Sequence, residues 1–182
     1  VILDMVYSHT DSLFPYSYLY FPEPSLWMRH DLHPGDIGYI IYMHGIFHAL
    51  EQGWDHTFEV YVAVPLAEFA QSKSSREKIW ILVEGDRIAG SVAIVKRTEE
   101  EAQLRWLLLE PEIRGRGIGR WLVEEALDFS RDMRYESIVL WTAESLPIAE
   151  KLYRSVGFEQ ILRVRHERWG SIVNEVKYRL VL

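Results

Sequence analysis

The stretch that most restricts this chain is "LLLEPEIRGRGIGRWLVEEALDF", Leu107 to Phe129. Three consecutive leucines read as a strand buried on both faces. Pro111 stops that strand. Gly115, Gly117 and Gly119 then alternate with Arg114, Arg116 and Arg120, and an amphipathic helix follows from about Ile118 to Met133. A helix entrance has unpaired N–H groups and a partial positive charge. Glycines let the backbone approach an anion closely, and arginines add charge-assisted hydrogen bonds. Strand, glycine-rich loop and helix together make a phosphate-binding arrangement.

Two familiar phosphate loops are excluded. No Lys-Ser or Lys-Thr follows the glycines, so this is not a Walker loop, and the third glycine comes one position too early for the dinucleotide G-x-G-x-x-G pattern. What remains is Arg114-x-x-Gly117-x-Gly119.

The flanking sequence fixes an order of elements. Pro15, Pro22 and Pro24 break the aromatic N-terminal stretch, so residues 1–33 read as short strand or irregular pieces. "IGYIIYMHG" reads as a strand ending at Gly45, and "IFHALEQG" as a short helix closed by Gly53. Phe58, Val62, Leu66 and Phe69 recur at helical intervals, with Asp55 as N-cap and Pro65 expected to kink or split that helix. "KIWILVEGDRIAGSVAIVKR" is a hairpin about Gly85-Asp86. "AQLRWLLLEP" and "SIVLWTA" are strands, and "SLPIAEKLYRSVG" is a helix with Ser145 as N-cap and Gly157 at its end. Two closing strands meet around Gly170. The order from residue 36 is β, α, α, β, β, β, α, β, α, β, β. No repeat or linker interrupts it, so residues 1–182 read as one domain, with residues 1–35 an irregular aromatic segment packed on it.

With that setting, the loop resembles the pyrophosphate loop of the GCN5-related N-acetyltransferase (GNAT) superfamily, Gln/Arg-x-x-Gly-x-Gly/Ala. "AEKLYRSVGF", Ala149 to Phe158, is similar to that family's last-helix signature, A-x-x-L-Y-x-x-x-G-F. The resemblance covers about residues 36–182. "HGIFHALEQGWDHTFE", His44 to Glu59, resembles the start of acetyltransferase domains fused to MarR-type regulators, although no winged-helix domain is visible. The resemblance implies a mixed α/β fold, with a central, mostly antiparallel sheet flanked by helices. It implies acetyl-CoA as co-substrate and transfer of acetyl to a primary amine by direct attack in a ternary complex.

Carried over residue by residue, the resemblance implies that Arg114, Gly115, Arg116, Gly117, Ile118, Gly119 and Arg120 hold the pyrophosphate of coenzyme A. Leu107, Leu108 and Leu109 would pair with its pantetheine arm. Tyr153 matches the tyrosine that protonates the departing thiolate. A lysine-like amine must lose a proton before it attacks, at about 4–5 kcal/mol at pH 7. Glu110, at the end of the strand, is the candidate base, with Glu84 and Glu144 behind it. One departure stands out. Relatives place an Asn near the start of the last helix, whereas Ala143–Ile148 has none, which leaves Thr142 or Ser145 to supply that contact.

Composition sets the remaining limits. The net charge of −7 argues against a nucleic-acid footprint. The chain has no cysteine, which removes disulfides, thiolate metal sites and a cysteine nucleophile and fits a cytoplasmic setting. No apolar run reaches the roughly 18 residues of a membrane span. No signal peptide is read at the N-terminus, which starts at Val1. His44, His48 and Glu51 have helical spacing but lack the His-Glu-x-x-His pattern, so no metal site is assigned. Tyr39, Tyr42, His44, Phe47 and Trp54 could line an amine pocket, their rings favouring a cation. The acceptor is an unidentified small molecule or protein amine, and a homodimer is plausible. The competing reading is an acyl-CoA-sensing or partner-binding module of the same fold.

Overall fold

The computed structural model describes residues 26–72 and 74–182. Its elements are β1 (Leu26–Arg29), α1 (Asp36–Gln52), α2 (Thr57–Gln71), β2 (Lys78–Glu84), β3 (Arg87–Lys96), β4 (Glu101–Leu109), α3 (Ile118–Asp132), β5 (Ser137–Ala143), α4 (Pro147–Ser155), β6 (Glu159–Arg168) and β7 (Ser171–Val181). The strands form one sheet in the order β1-β2-β3-β4-β5-β7-β6. Only β4 and β5 pair in parallel, and every other neighbouring pair is antiparallel. The mixed α/β fold expected from sequence is the one observed.

Each face of the sheet carries two helices. Ile118, Leu122, Val123 and Ala126 of α3 and Tyr153 of α4 pack on one side against Trp80, Ile94, Leu104 and Ile138. Ile40 and Met43 of α1 and Phe58, Val62 and Leu66 of α2 cover the other side against Ile79, Ile81 and Ala93. Two layers of helix around a sheet let both faces bury apolar area, which supplies the main favourable term in folding.

The structure corrects the reading of "IGYIIYMHG". The first strand is β1, pairing Leu26–Arg29 with Glu84–Ile81, and residues 36–45 are the first half of α1. The buried positions of α1 include Ile40, Met43 and His44, a helical spacing. Gly45 does not end it. A Cβ there would meet the Glu59 side chain of α2, which lies across this glycine. Gly53 does close the helix, at φ 71°. Pro65 lies inside α2 without splitting it. Asp55 accepts from the backbone N–H of Thr57 at 3.0 Å, but the N-cap of α2 is His56, one residue later than expected. Ser145 does not cap α4, whose first position is Pro147. The expected pieces over residues 1–25 lie outside the described residues.

Candidate active site

The site begins where the sheet splits. β4 and β5 are bonded only through Glu101–Gln103 and Ser137–Val139. Beyond Gln103 the strands part. β5 continues on β7 as far as Ala143, and β4 stays with β3. A bulge in β4 helps open the wedge. Ala93 faces Arg105 and Ser91 faces Leu108, so Val92 opposes two residues, Trp106 and Leu107. Trp106 takes φ 50°, and the Ser91 hydroxyl donates to its carbonyl at 2.7 Å. Leu107, Leu108 and Leu109 are therefore half-buried rather than fully covered as expected. Leu107 and Leu109 lean toward α3 and α4, and Leu108 toward α1 and α2.

At the end of β4 a single 3-10 turn, Pro111–Ile113, leads into the glycine loop. Gly115 and Gly117 have φ 78° and 83°, and a Cβ on either would meet nothing within 4 Å. These conformations favour glycine, and the space beside them is open. No side chain caps α3. The N–H groups of Ile118, Gly119 and Arg120 thus face outward at the positive end of a 15-residue helix. This arrangement fits a pyrophosphate.

The loop arginines have separate tasks. Arg114 Nε–H donates to the Leu109 carbonyl at 2.9 Å, its Nη1 pairs with Glu51 at 2.6 Å, and the guanidinium lies over Phe47. It straps the loop to α1. Arg120 bonds Ser155 at 2.7 Å and so ties α3 to α4. Arg116 is exposed at the loop tip.

The wedge opens into a cleft of about 140 Å³. Leu107, Thr142 and Tyr153 line it from the sheet and α4, and His44, His48, Trp54, Phe58 and Tyr61 line it from α1, α2 and the link between them. Tyr153 is buried, and desolvation raises its phenol well above the ordinary value. A phenol so placed stays protonated and is available as a donor.

Glu110 is not among the side chains lining the cleft. Arg87 pairs with it at 3.0 Å, and the Tyr39 hydroxyl donates to it at 3.4 Å. Glu84 is likewise committed to Arg87 at 2.8 Å, and Glu144 to Arg163 at 2.6 Å. Of the five residues expected in an amine pocket, His44 and Trp54 reach the cleft. Tyr39 turns to Glu110, Phe47 lies under Arg114, and Tyr42 is exposed.

Two histidines, His44 and His48, line the cleft. His44 Nδ1 bonds the Ile40 carbonyl, and His48 Nδ1 bonds the His44 carbonyl, each at 2.8 Å. A carbonyl only accepts, so each Nδ1 holds the hydrogen and each Nε2 keeps a lone pair. Burial lowers the His44 pKa to about 4 and also lowers that of His48. Both rings are neutral near pH 7.

Sequence reasoning did not single out Trp169, Trp106, Arg105 or Glu175, which complete the wall. Trp169 packs at 4.5 Å on Trp54 and 4.8 Å on Phe58 between ring centroids. It sits at φ 54° beside Gly170 at φ 71°, the two-residue turn that joins β6 to β7. Asp55 N–H donates to its carbonyl at 2.9 Å, which fixes the hairpin against the start of α2. Only the turn was legible beforehand, because these partners are more than a hundred residues apart.

Comparison with known proteins identifies the family. Residues 43–158 match the Acetyltransferase (GNAT) family, and the chain belongs to that family. It is 26% identical over 128 residues to human N-acetyltransferase 8B, covering 66% of this chain and 56% of that protein. It is 34% identical over 102 residues to N-acetylaspartate synthetase of Xenopus tropicalis, covering 56% and 38% of the two. The chain thus spans about half or less of the length of these curated relatives. In fold it resembles an acetyltransferase from Streptococcus agalactiae, with a TM-score of 0.71, 20% identity, and coverage of 87% of this chain and 99% of the other. It also resembles a spermidine N-acetyltransferase from Vibrio cholerae solved with CoA and spermine, with a TM-score of 0.64, 19% identity, and coverage of 86% and 95%. Among the described residues, no helix is long and apolar enough to cross a membrane.

Proposed function

We propose that the chain is an N-acetyltransferase that uses acetyl-CoA to acetylate a primary amine in a ternary complex. The observation that carries this reading is the juxtaposition of an uncapped α3 N-terminus, two open positive-φ glycines and a parted β4–β5 pair leading to Tyr153. The backbone N–H groups from Gly115 to Arg120 hold the pyrophosphate, with Arg116 at the loop tip adding charge. Leu107 to Leu109 offer backbone N–H and C=O groups on the edge that β5 leaves, and these suit the amides of a pantetheine arm.

Acetyl-CoA, when bound, supplies the thioester carbonyl that the amine attacks, so that the amide C–N bond forms as the C–S bond breaks. Tyr153 gives its phenolic proton to the sulfur that leaves. The amine must shed a proton, and Glu110, paired with Arg87 and away from the cleft wall, is poorly placed to take it. His48 Nε2 is better placed, directly or through one water, because it lines the cleft with a free lone pair. The aromatic wall excludes water and orients the acceptor. Thr142 lines the cleft where relatives place an asparagine, whereas Ser145 does not. The resemblance of His44–Glu59 to MarR-fused acetyltransferase domains concerns α1 and α2, the acceptor side.

Thiol release from acetyl-CoA over a panel of amines tests this function. Release that requires an amine, with a matching acetylated product, is expected. Saturable acetyl-CoA binding without release to any amine would favour the acyl-CoA-sensing alternative.

A further inference from the structure

The charge in the cleft is unlike that of the chain as a whole. The protein carries a net charge of −7, yet the ionised side chains at the acceptor end of the cleft are Arg105 and Glu175. The two are not equivalent. Glu175, buried on β7, is taken by Arg168 at 2.6 Å and faced by His166 at 3.3 Å. Arg105 is half-buried on β4, its guanidinium 5.1 Å from the Trp106 ring centre and 5.9 Å from that of Tyr61. Among the described residues no carboxylate reaches it within ion-pairing distance, and the exposed Glu68 of α2 contributes only a field. His44 and His48 are neutral, so a positive charge is left over at this end of the cleft.

A guanidinium resting on aromatic rings is desolvated on its faces and keeps its N–H edge for a planar anion. A carboxylate is the matching group. Position supports this. Arg105 is two residues before Leu107, across the Trp106 bulge, on the strand expected to orient the thioester, and both line the same cleft. An α-amino acid holds its carboxylate one carbon from its amine, so one small ligand can present both groups to that end of the cleft. The rings of Trp54, Phe58, Tyr61 and Trp169 then face the remainder of the molecule.

We infer that the acceptor is an α-amino acid with an aromatic or large aliphatic side chain, its carboxylate held by Arg105 and its side chain by the ring wall. This inference rests on the acetyltransferase reading and narrows its substrate. Arg105 is a specificity residue that touches the acceptor, while Glu175 and Arg168 stiffen the floor beside it.

The test uses two products that differ only in the carboxylate, N-acetyl-L-phenylalanine and N-acetylphenethylamine. Each is titrated into the full chain saturated with CoA. The acid is expected to bind about a hundredfold more tightly, because a half-buried cation without a carboxylate partner disfavours the analogue that lacks one. Arg105→Gln is expected to bring the two within about threefold of each other, and Arg105→Lys to restore part of the preference. Thiol release with L-phenylalanine and phenethylamine is expected to follow the same order. CoA titration of each variant reports whether it has folded. Equal or tighter binding of the uncharged product by the wild type would overturn the inference, as would binding of neither product. A carboxylate preference that survives Arg105→Gln would also overturn it. Failure of CoA itself to bind removes the acetyltransferase reading as well. CoA binding with amine-dependent release but no carboxylate preference removes only the amino-acid acceptor.

Discussion

The two sides of the cleft are built in different ways. The side proposed to hold the cofactor is nearly continuous in sequence: β4, the glycine loop and α3 follow one another from residue 101 to 132. The acceptor side is assembled from α1, α2, the bulge of β4 and the turn between β6 and β7, so that Trp54, Phe58, Trp106 and Trp169 meet from four places in the chain. A local motif sets the first side through backbone conformation. Long-range packing sets the second. Changes on the first side should therefore alter CoA affinity with little effect on stability, and changes to the packed rings of the second should lower stability with little effect on CoA affinity.

The sharpest separation is expected between chemistry and binding. Tyr153→Phe keeps the buried ring against Phe158 and Tyr178 and removes only the hydroxyl. The turnover rate should fall by about 10²–10⁴, the usual contribution of a positioned acid, with CoA affinity and thermal midpoint retained. Steady-state kinetics alongside calorimetry checks this, and an unchanged rate would return Tyr153 to a packing role.

Trp169→Ala should act on the acceptor side as a stability change. It removes ring contacts to Trp54, Phe58 and Tyr61 and leaves a cavity, at about 3–5 kcal/mol. Denaturant unfolding measures that loss. CoA affinity, measured well below the new midpoint, should stay within about threefold, since the glycine loop does not depend on this packing.

Acid should probe the same side. His44 is held near pKa 4 in the fold and returns to about 6.5 when unfolded. Between these values the unfolded chain binds more protons, so its stabilising contribution is complete above about pH 6.5 and is lost as pH falls through about 4. The loss from this residue is on the order of 3 kcal/mol. His44→Leu should flatten that part of the stability profile, read as the difference between the two pH series.

The smallest effect is expected where the two sides are joined. Arg114 links the Leu109 carbonyl to Glu51 on α1, but the pair is partly exposed. Arg114→Met should cost about 1 kcal/mol or less. A larger drop in CoA affinity than in stability would mean that Arg114 turns to the ligand when one binds.

The same division explains what could be read from sequence. The hairpin of β2 and β3, the loop, α3, β5 and the closing strands were legible because glycines, prolines and local periodicity mark them. The start of α1 was not. "IGYIIYMHG" is short, apolar and rich in β-branched and aromatic residues, and Gly45 looked like a stop. Its helical state depends on packing against α2, which no local signal carries. Within the candidate site, the glycine loop and Tyr153 stand in the sequence as a motif, and His44 and His48 as a pair at helical spacing whose place in the cleft only the fold shows. Arg105, Trp169 and Glu175 carry no local signal, because a bulge, a splay and a turn bring these distant residues together. Glu110 looked like a base from its place at the end of a strand, and only the fold pairs it with Arg87.

The central claim is that the loop from Gly115 to Arg120 holds the pyrophosphate of coenzyme A. Calorimetric titration of CoA into the wild type and Gly117→Glu tests it most directly, with Gly117→Asn as a control for the positive φ at this position. Saturable binding by the wild type, lost in the folded Glu variant while the Asn variant stays folded, is the expected result. Equal CoA affinity in the wild type and the folded Gly117→Glu protein would contradict it.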